Sequence, residues 1–500
     1  MKVDGRCSPG RGWLNGRTAA AVLALALVLF VSGCAGLDSA APQKDVSAVV
    51  PAAAPRTTGI ETSESAQKTQ LADLFGGEYR APAAEHHLNA ILAKLAAASD
   101  DPGQVYHVTL LNSPIVNAFA LPSGDLFVTR GLLALANDSS EVAAVMAHEI
   151  AHVTARHAAQ RAELEKNNAV ISHAASVIQS REKGDEVQAY GQLTIAAFSR
   201  QQELDADRMG IKTIAAAGYD PYAASRFLVS LGRSLALRAS LMGQKSGDEQ
   251  PDLMSTHPST PERVDRAVEQ ARQIGAPGIG DRGRKDYLAA IDGIDFGDDP
   301  ADGFVRGRSL VHPKLGFAFE APDGFTLENS AQAVLGVADG GSEALRLDSV
   351  QPPASDTLKS YLGSGWIEGL QQDSVESLTI NDLPAATAIA KGGDWSFRIA
   401  VIRFGKDVYR LIFAARTLSP DIDQRFRDSI GSFHKVTPEE AKSVHPLRVV
   451  VVTARIGDTA DNMAARMALQ DRTLDHFLLL NGLDKATPLT VGESYKLVVE

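Results

Sequence analysis

The sequence predicts a multidomain protein: a mainly α-helical domain with a small β-sheet, then an α+β domain, then a small βααβ module. Three observations carry that reading. Helical periodicity dominates from Leu71 to about Ile274, interrupted by short alternating segments. Beyond Gly/Asp-rich stretches around Gly275–Gly283 and Gly297–Gly303, the composition turns to β-forming runs. The end of the chain, 446–500, reads as strands and helices separated by two tight turns.

Composition narrows the function. With 500 residues, 44% hydrophobic and 22% charged, the chain can bury several cores and is too apolar for wholesale disorder. Its 61 acidic against 49 basic residues, a net charge of −12, argue against a nucleic-acid partner. Both cysteines lie within the first 34 residues, which rules out a disulfide scaffold.

Residues 1–33 read as a signal peptide. Lys2, Arg6, Arg11 and Arg17 precede an apolar run from Ala19 to Val31, short for a membrane span but suited to a signal h-region. The run ends in Leu29-Phe30-Val31-Ser32-Gly33-Cys34, which resembles a bacterial lipobox. That resemblance implies lipidation of Cys34 and a membrane anchor. With Ala35 next, it implies delivery to the periplasmic face of the outer membrane. Residues 34–68, rich in Ala, Pro, Ser and Thr, form a flexible tether reaching roughly 30 Å. No later stretch is apolar enough for a second span.

The first domain is expected over 69–275. A helix runs through His87, Ile91, Leu92 and Leu95, followed by strands at Val105–Leu111 and Asp125–Thr129 and then by helices. Residues 276–303 read as a linker. The second domain, 304–436, has strands at Phe317–Ala321, Ala344–Val350, Ala385–Ala390, Ser396–Arg403 and Val408–Ala414, with helices at Leu358–Gln371 and Ile422–Phe433. Its element order resembles PsbP-like folds.

The chemistry concentrates in Ala147-His148-Glu149-Ile150-Ala151-His152. Asp138, with Glu141 three residues on, marks a helix start as a capping box. On that helix His148 and His152, four apart, share a face and can reach one ion. Glu149, rotated by about 100°, can touch an activated water without binding the metal. A catalytic zinc needs a third protein ligand. A third histidine in the metzincin pattern fails, because positions 155 and 158 are both Ala. His157, nine residues past His148, falls off the helix face and reads as structural. Glu203 and Asp207 share a face of a later helix. Glu203 supplies the third ligand, and Asp207 accepts the second N–H of a ligand histidine.

These residues, with Asn117-Ala118-Phe119-Ala120-Leu121-Pro122 and Thr256-His257-Pro258-Ser259-Thr260-Pro261-Glu262-Arg263, resemble the gluzincin metallopeptidases. That family includes HtpX, the CAAX prenyl endopeptidases and the periplasmic β-barrel assembly-enhancing protease. The resemblance covers residues 71–275 and implies a zincin fold, one Zn2+ per chain and peptide hydrolysis with Glu149 as base. Asn117, Ala118, Phe119 and Ala120 read either as an edge strand that pairs with substrate or as a buried strand. His257 precedes a helix start marked by Thr260 and Pro261. It is open between oxyanion stabiliser and fourth, gating ligand, with Arg263 as an electrostatic helper.

Gly457-Asp458-Thr459 and Asn481-Gly482-Leu483 resemble a LysM module, which implies peptidoglycan as a partner. The closing Pro-Gly-Gln of such modules is Val491-Gly492-Glu493 here, so a module that only packs is an equal reading. The expected function is a lipid-anchored zinc endopeptidase of the periplasm, with unfolded or misassembled envelope proteins as substrates. The alternative is a non-enzymatic scaffold with a structural metal. Glu149 favours the enzyme, since a structural zinc needs no carboxylate there.

Overall fold

The computed structural model describes residues 68–69, 71–73, 75–161, 163, 200–241, 261–330, 333–352 and 357–500. Cys34 with its lipobox, the tether up to residue 67, and His257 lie outside them. The chain divides into two units, Met1–Pro55 and Arg56–Glu500, and everything below belongs to the second.

Helix α1 (Pro82–Ala98) opens with proline, whose missing N–H costs nothing in a first turn, and buries Leu88, Ile91, Leu92 and Leu95. Strands β1 (His107–Leu111), β2 (Ala118–Ala120) and β3 (Asp125–Thr129) form a sheet in the order β1-β3-β2. β1 runs parallel to β3, and β2 is antiparallel to β3 at the sheet edge. Helix α2 (Arg130–Leu135) follows β3 directly, capped by the Thr129 hydroxyl, which accepts the Leu132 amide.

Helix α3 (Ser139–Thr154) starts as expected at Asp138, whose carboxylate accepts the Glu141 amide. The Glu141 side chain reaches back 2.8 Å to the amide of Asn137 instead of Asp138, so the box closes one residue early. Most of α3 is buried, because α1, the strand layer and later helices surround it. Around it lie α4 (200–216), α5 (Ala223–Leu241), α6 (Pro261–Ile274) and α7 (Arg284–Ile291). Leu88, Ile91, Val142, Met146, Ile150, Ile214, Phe227 and Tyr287 belong to one apolar cluster.

Residues 276–303 are not the linker their composition suggested. Tyr287, Leu288 and Ile291 of α7 are in the core of the first domain, and β4 (Asp295–Phe296) pairs with a strand from the end of the chain. The glycines there serve tight contacts: Gly280, at φ +88°, lies against the Tyr219 carbonyl, where any side chain would collide.

The second domain holds two sheets. One comprises β5 (Phe304–Arg306), β6 (Ser309–His312), β7 (Phe317–Glu320) and β15 (His434–Lys435). The other, antiparallel throughout, comprises β8 (Thr326–Asn329), β9 (Val334–Ala338), β10 (Glu343–Val350), β11 (Glu376–Ile380), β12 (Leu383–Gly392), β13 (Trp395–Phe404) and β14 (Asp407–Ala415). Helix α8 (Leu358–Leu362) stops well short of the expected Gln371. Gly365 and Gly369 adopt positive φ, and a side chain at 369 would strike the Lys391 carbonyl. Helix α9 (Pro420–Gly431) puts Phe426 against Phe413.

The last unit runs strand, helix, helix, strand: β16 (Leu447–Thr453), α10 (Ala460–Ala464), α11 (Thr473–Leu480) and β17 (Ser494–Val499). It braces the first domain just ahead of α3. The buried Lys496 ammonium donates to the carbonyls of Ala134, Leu135 and Ala136 at 2.7, 3.2 and 2.6 Å. Arg284 bridges the Asn137 and Ser494 carbonyls at 2.7 and 3.0 Å. Among the described residues, no helix is long and apolar enough to cross a membrane.

Candidate metal centre

Two helices deliver the side chains that could hold a metal ion. α3 carries His148 and His152 one turn apart on one face, and α4 carries Glu203 and Asp207 in the same relation. α4 crosses α3 closely because residue 210 is glycine: a Cβ there would lie 3.1 Å from the His148 amide nitrogen. His148, His152 and Glu203 converge so that one ligand atom from each lies within 4.8 Å of the others. The two Nε2 atoms are 3.0 Å apart, and the Glu203 carboxylate stands 3.3 Å from that of His148 and 3.4 Å from that of His152.

A second layer holds these donors. The Nδ1 of His148 meets Asp207 Oδ1 at 3.0 Å. Arg263, in the first turn of α6, donates to both oxygens of Asp207 at 2.8 Å, and its third nitrogen lies 3.0 Å from Glu203 Oε2. His148, Glu149, Glu203, Asp207 and Arg263 are between 3% and 8% exposed, so these pairings form out of water. Burial disfavours a charged His148, yet the carboxylates of Asp207 and Glu203 outweigh it and raise its pKa to about 10. Burial alone would raise Asp207, but Arg263 and His148 hold it below the usual carboxylate range. The donors that converge here are two imidazoles and a carboxylate, a set that zinc takes.

Glu149 lines a cavity of about 70 Å³ beside His148, with Asn117 and Ala118 on one wall and Val145, Phe227 and Leu231 on others. Of the four strand residues singled out in sequence, Asn117 and Ala118 thus face the site. Phe119 points the other way, its ring 4.8 Å from that of Phe127. Asn117 is pinned by Thr129, whose hydroxyl accepts its amide at 3.0 Å. Arg263, read in sequence as an electrostatic helper, is engaged with the two carboxylates.

The sequence reading set His157 off the helix face as structural, and the structure brings it against His152. α3 ends at Thr154, Arg156 takes a left-handed conformation at φ 56°, and the chain swings His157 back under His152, Nδ1 to Nδ1 at 2.9 Å. Helical periodicity places His157 off the face only while the helix lasts. An arginine at the left-handed position gives no signal in the sequence.

Comparison with known proteins agrees with this geometry. Residues 82–271 match the profile of Peptidase family M48. The β-barrel assembly-enhancing protease of Escherichia coli O157:H7 is 27% identical over 235 residues, 44% of this chain and 46% of that protein. The mitochondrial metalloendopeptidase OMA1 of Arabidopsis thaliana is 36% identical over 169 residues, 34% of this chain and 32% of that protein. The chain therefore spans less than half the length of either relative. The solution structure of cyanobacterial PsbP from Synechocystis sp. PCC 6803 aligns with 28% of this chain and 98% of its own at 14% identity, with a TM-score of 0.21, too low to carry weight. The match over 82–271 contains both helices that carry the candidate ligands, and over that part the chain is similar to Peptidase family M48.

Proposed function

We propose that the chain is a zinc-dependent endopeptidase acting on misfolded or stalled proteins of the bacterial envelope. The convergence of His148, His152 and Glu203 beside Glu149 supports the hydrolytic reading more than any other observation. A zinc ion held by these three residues would polarise a peptide carbonyl and acidify a water. Glu149 takes the proton of that water and passes it to the leaving amine nitrogen as the C–N bond breaks. Asp207 keeps the His148 proton on Nδ1, so that Nε2 presents a lone pair to the metal. Arg263 balances the charge of Asp207 and Glu203. β2, at the sheet edge next to the cavity, pairs with an extended substrate backbone.

The envelope setting rests on the lipobox of Cys34 and on the name of the Escherichia coli relative. His257 acts as a gate in this reading, and 446–500 offers a surface to peptidoglycan.

The purified protein should hold one zinc per chain, and His148→Ala or Glu203→Ala should abolish that. Glu149→Gln should keep the metal and lose cleavage of an unfolded substrate; cleavage that persists would refute the role of Glu149. His257→Ala should speed cleavage, whereas a fall in kcat of about 10²–10³-fold would make His257 an oxyanion stabiliser. Cys34→Ser should lose incorporated fatty acid and leave the membrane pellet.

A further inference from the structure

We propose that His157 is a positioning residue: its Nδ1 accepts the Nδ1–H of His152 and so fixes the tautomer and ring plane that present His152 Nε2 to the metal. The inference rests on the zinc-site reading and extends it to a residue with no ligand role of its own.

The argument begins with proton counting. Two imidazole Nδ1 atoms 2.9 Å apart cannot both carry hydrogens or both present lone pairs; one donates and the other accepts. His152 Nε2 lies 3.0 Å from His148 Nε2 and 3.4 Å from Glu203 Oε1, among the ligating atoms. To bind a metal there it needs a lone pair on Nε2, which leaves its hydrogen on Nδ1. His157 Nδ1 is then the acceptor, with the His157 hydrogen on Nε2. The rings cross at 76°, and an in-plane N–H···N bond permits this because each plane can turn about the bond axis.

The surroundings hold His157 in that role. It is 5% exposed, and its carbonyl accepts the side-chain amide of Gln202 at 3.1 Å. Gln202, 2% exposed, precedes Glu203 and takes a 2.8 Å bond from Arg161. The turn carrying His157 is thereby tied to the helix that carries the third ligand. The two ligand histidines are oriented by different chemistry: His148 by the carboxylate of Asp207, His152 by a second imidazole. An uncharged acceptor orients His152 without adding a further negative charge to a buried set that already holds Glu149, Glu203 and Asp207.

The test is zinc affinity of the full chain, stripped of metal and titrated against a chromogenic chelator, with the Tm of the metal-free protein measured alongside. His157→Leu should weaken zinc binding by roughly 10–100-fold, the usual cost of losing such an orienting partner. His157→Asn should recover most of it, because its amide oxygen can take the place of Nδ1. His157→Gln, one methylene longer, should not. Asn and Gln variants of equal Tm and unequal zinc affinity separate positioning from packing. Unchanged affinity in His157→Leu overturns the proposal alone, as do three variants that lose affinity only in step with Tm. A parent protein that binds no zinc, or a His148→Ala variant that binds it undiminished, overturns the metal site and this proposal with it.

Discussion

Asp207 and Arg263 face each other through two parallel 2.8 Å hydrogen bonds, and the same Asp207 oxygen that takes Arg263 Nη2 also meets His148 Nδ1. A single carboxylate therefore joins α6 to His148, the first of the candidate metal ligands. The arginine remains charged because the carboxylates of Asp207 and Glu203 outweigh its burial and raise its pKa.

Removing that cation should expose the cost of the carboxylates it offsets. Arg263→Met leaves Asp207 and Glu203, 7% and 3% exposed, short of a buried partner. In chelator, unfolding by urea should show a loss of about 3–5 kcal/mol. Added zinc should narrow the gap, since it restores positive charge beside Glu203. An unchanged midpoint in chelator would show that the pair is not a structural tie.

Zinc binding should release a proton. The pKa of His148, raised from 6.5 to about 10, means that the metal-free protein holds this imidazole protonated at neutral pH. A raised folded-state pKa contributes stability that is complete below 6.5 and disappears as pH climbs through about 10. A metal ligand must be neutral, so zinc displaces that proton and binds more tightly as pH rises. Calorimetry at pH 7.5 in buffers of different ionisation enthalpy should report about one proton released per zinc. Zero release would place the imidazole already neutral before the metal arrives.

Lys496 should matter to the first domain although it belongs to the last strand. Its ammonium satisfies the Ala134, Leu135 and Ala136 carbonyls at the end of α2, where helix carbonyls lack partners of their own. Lys496→Met should cost about 1–3 kcal/mol in urea unfolding and hasten protease release of 446–500. Equal stability and equal proteolysis would show that the brace is dispensable.

Much of the site was legible because its signals are local. His148, Glu149 and His152 lie within five consecutive residues of one helix, and Glu203 and Asp207 within another, so a helical period suffices to put each set on a face. His157 was hidden because its position depends on the break of α3 at Arg156, an event that leaves no mark in residue type. The role of Arg263 depends on which partners meet across α4 and α6, a long-range fact. In the second domain, the alternating runs at β13 and β14 were plain. Short strands such as β5 and β8 carry too few residues for a period of two to show. Glycine misled twice: a dense cluster of it suggested a linker where α7 packs, and the stops at Gly365 and Gly369 were passed over in favour of a longer helix.

Gly210 has a consequence for how the ligands are spaced. The distance between the helix bearing the histidines and the helix bearing Glu203 is set, at their crossing, by a hydrogen atom where other residues carry carbon. Glu203 lies seven residues, two turns, before that crossing, so it swings on a lever whose pivot is Gly210. Alanine at the pivot would press within 3.1 Å of the His148 amide nitrogen and 3.3 Å of its Cα, and one helix would have to lift. On the proposed zinc reading, affinity for metal would thus be held partly by an achiral residue that touches no ion, and the bore of the site is a property of backbone contact as much as of its candidate ligands.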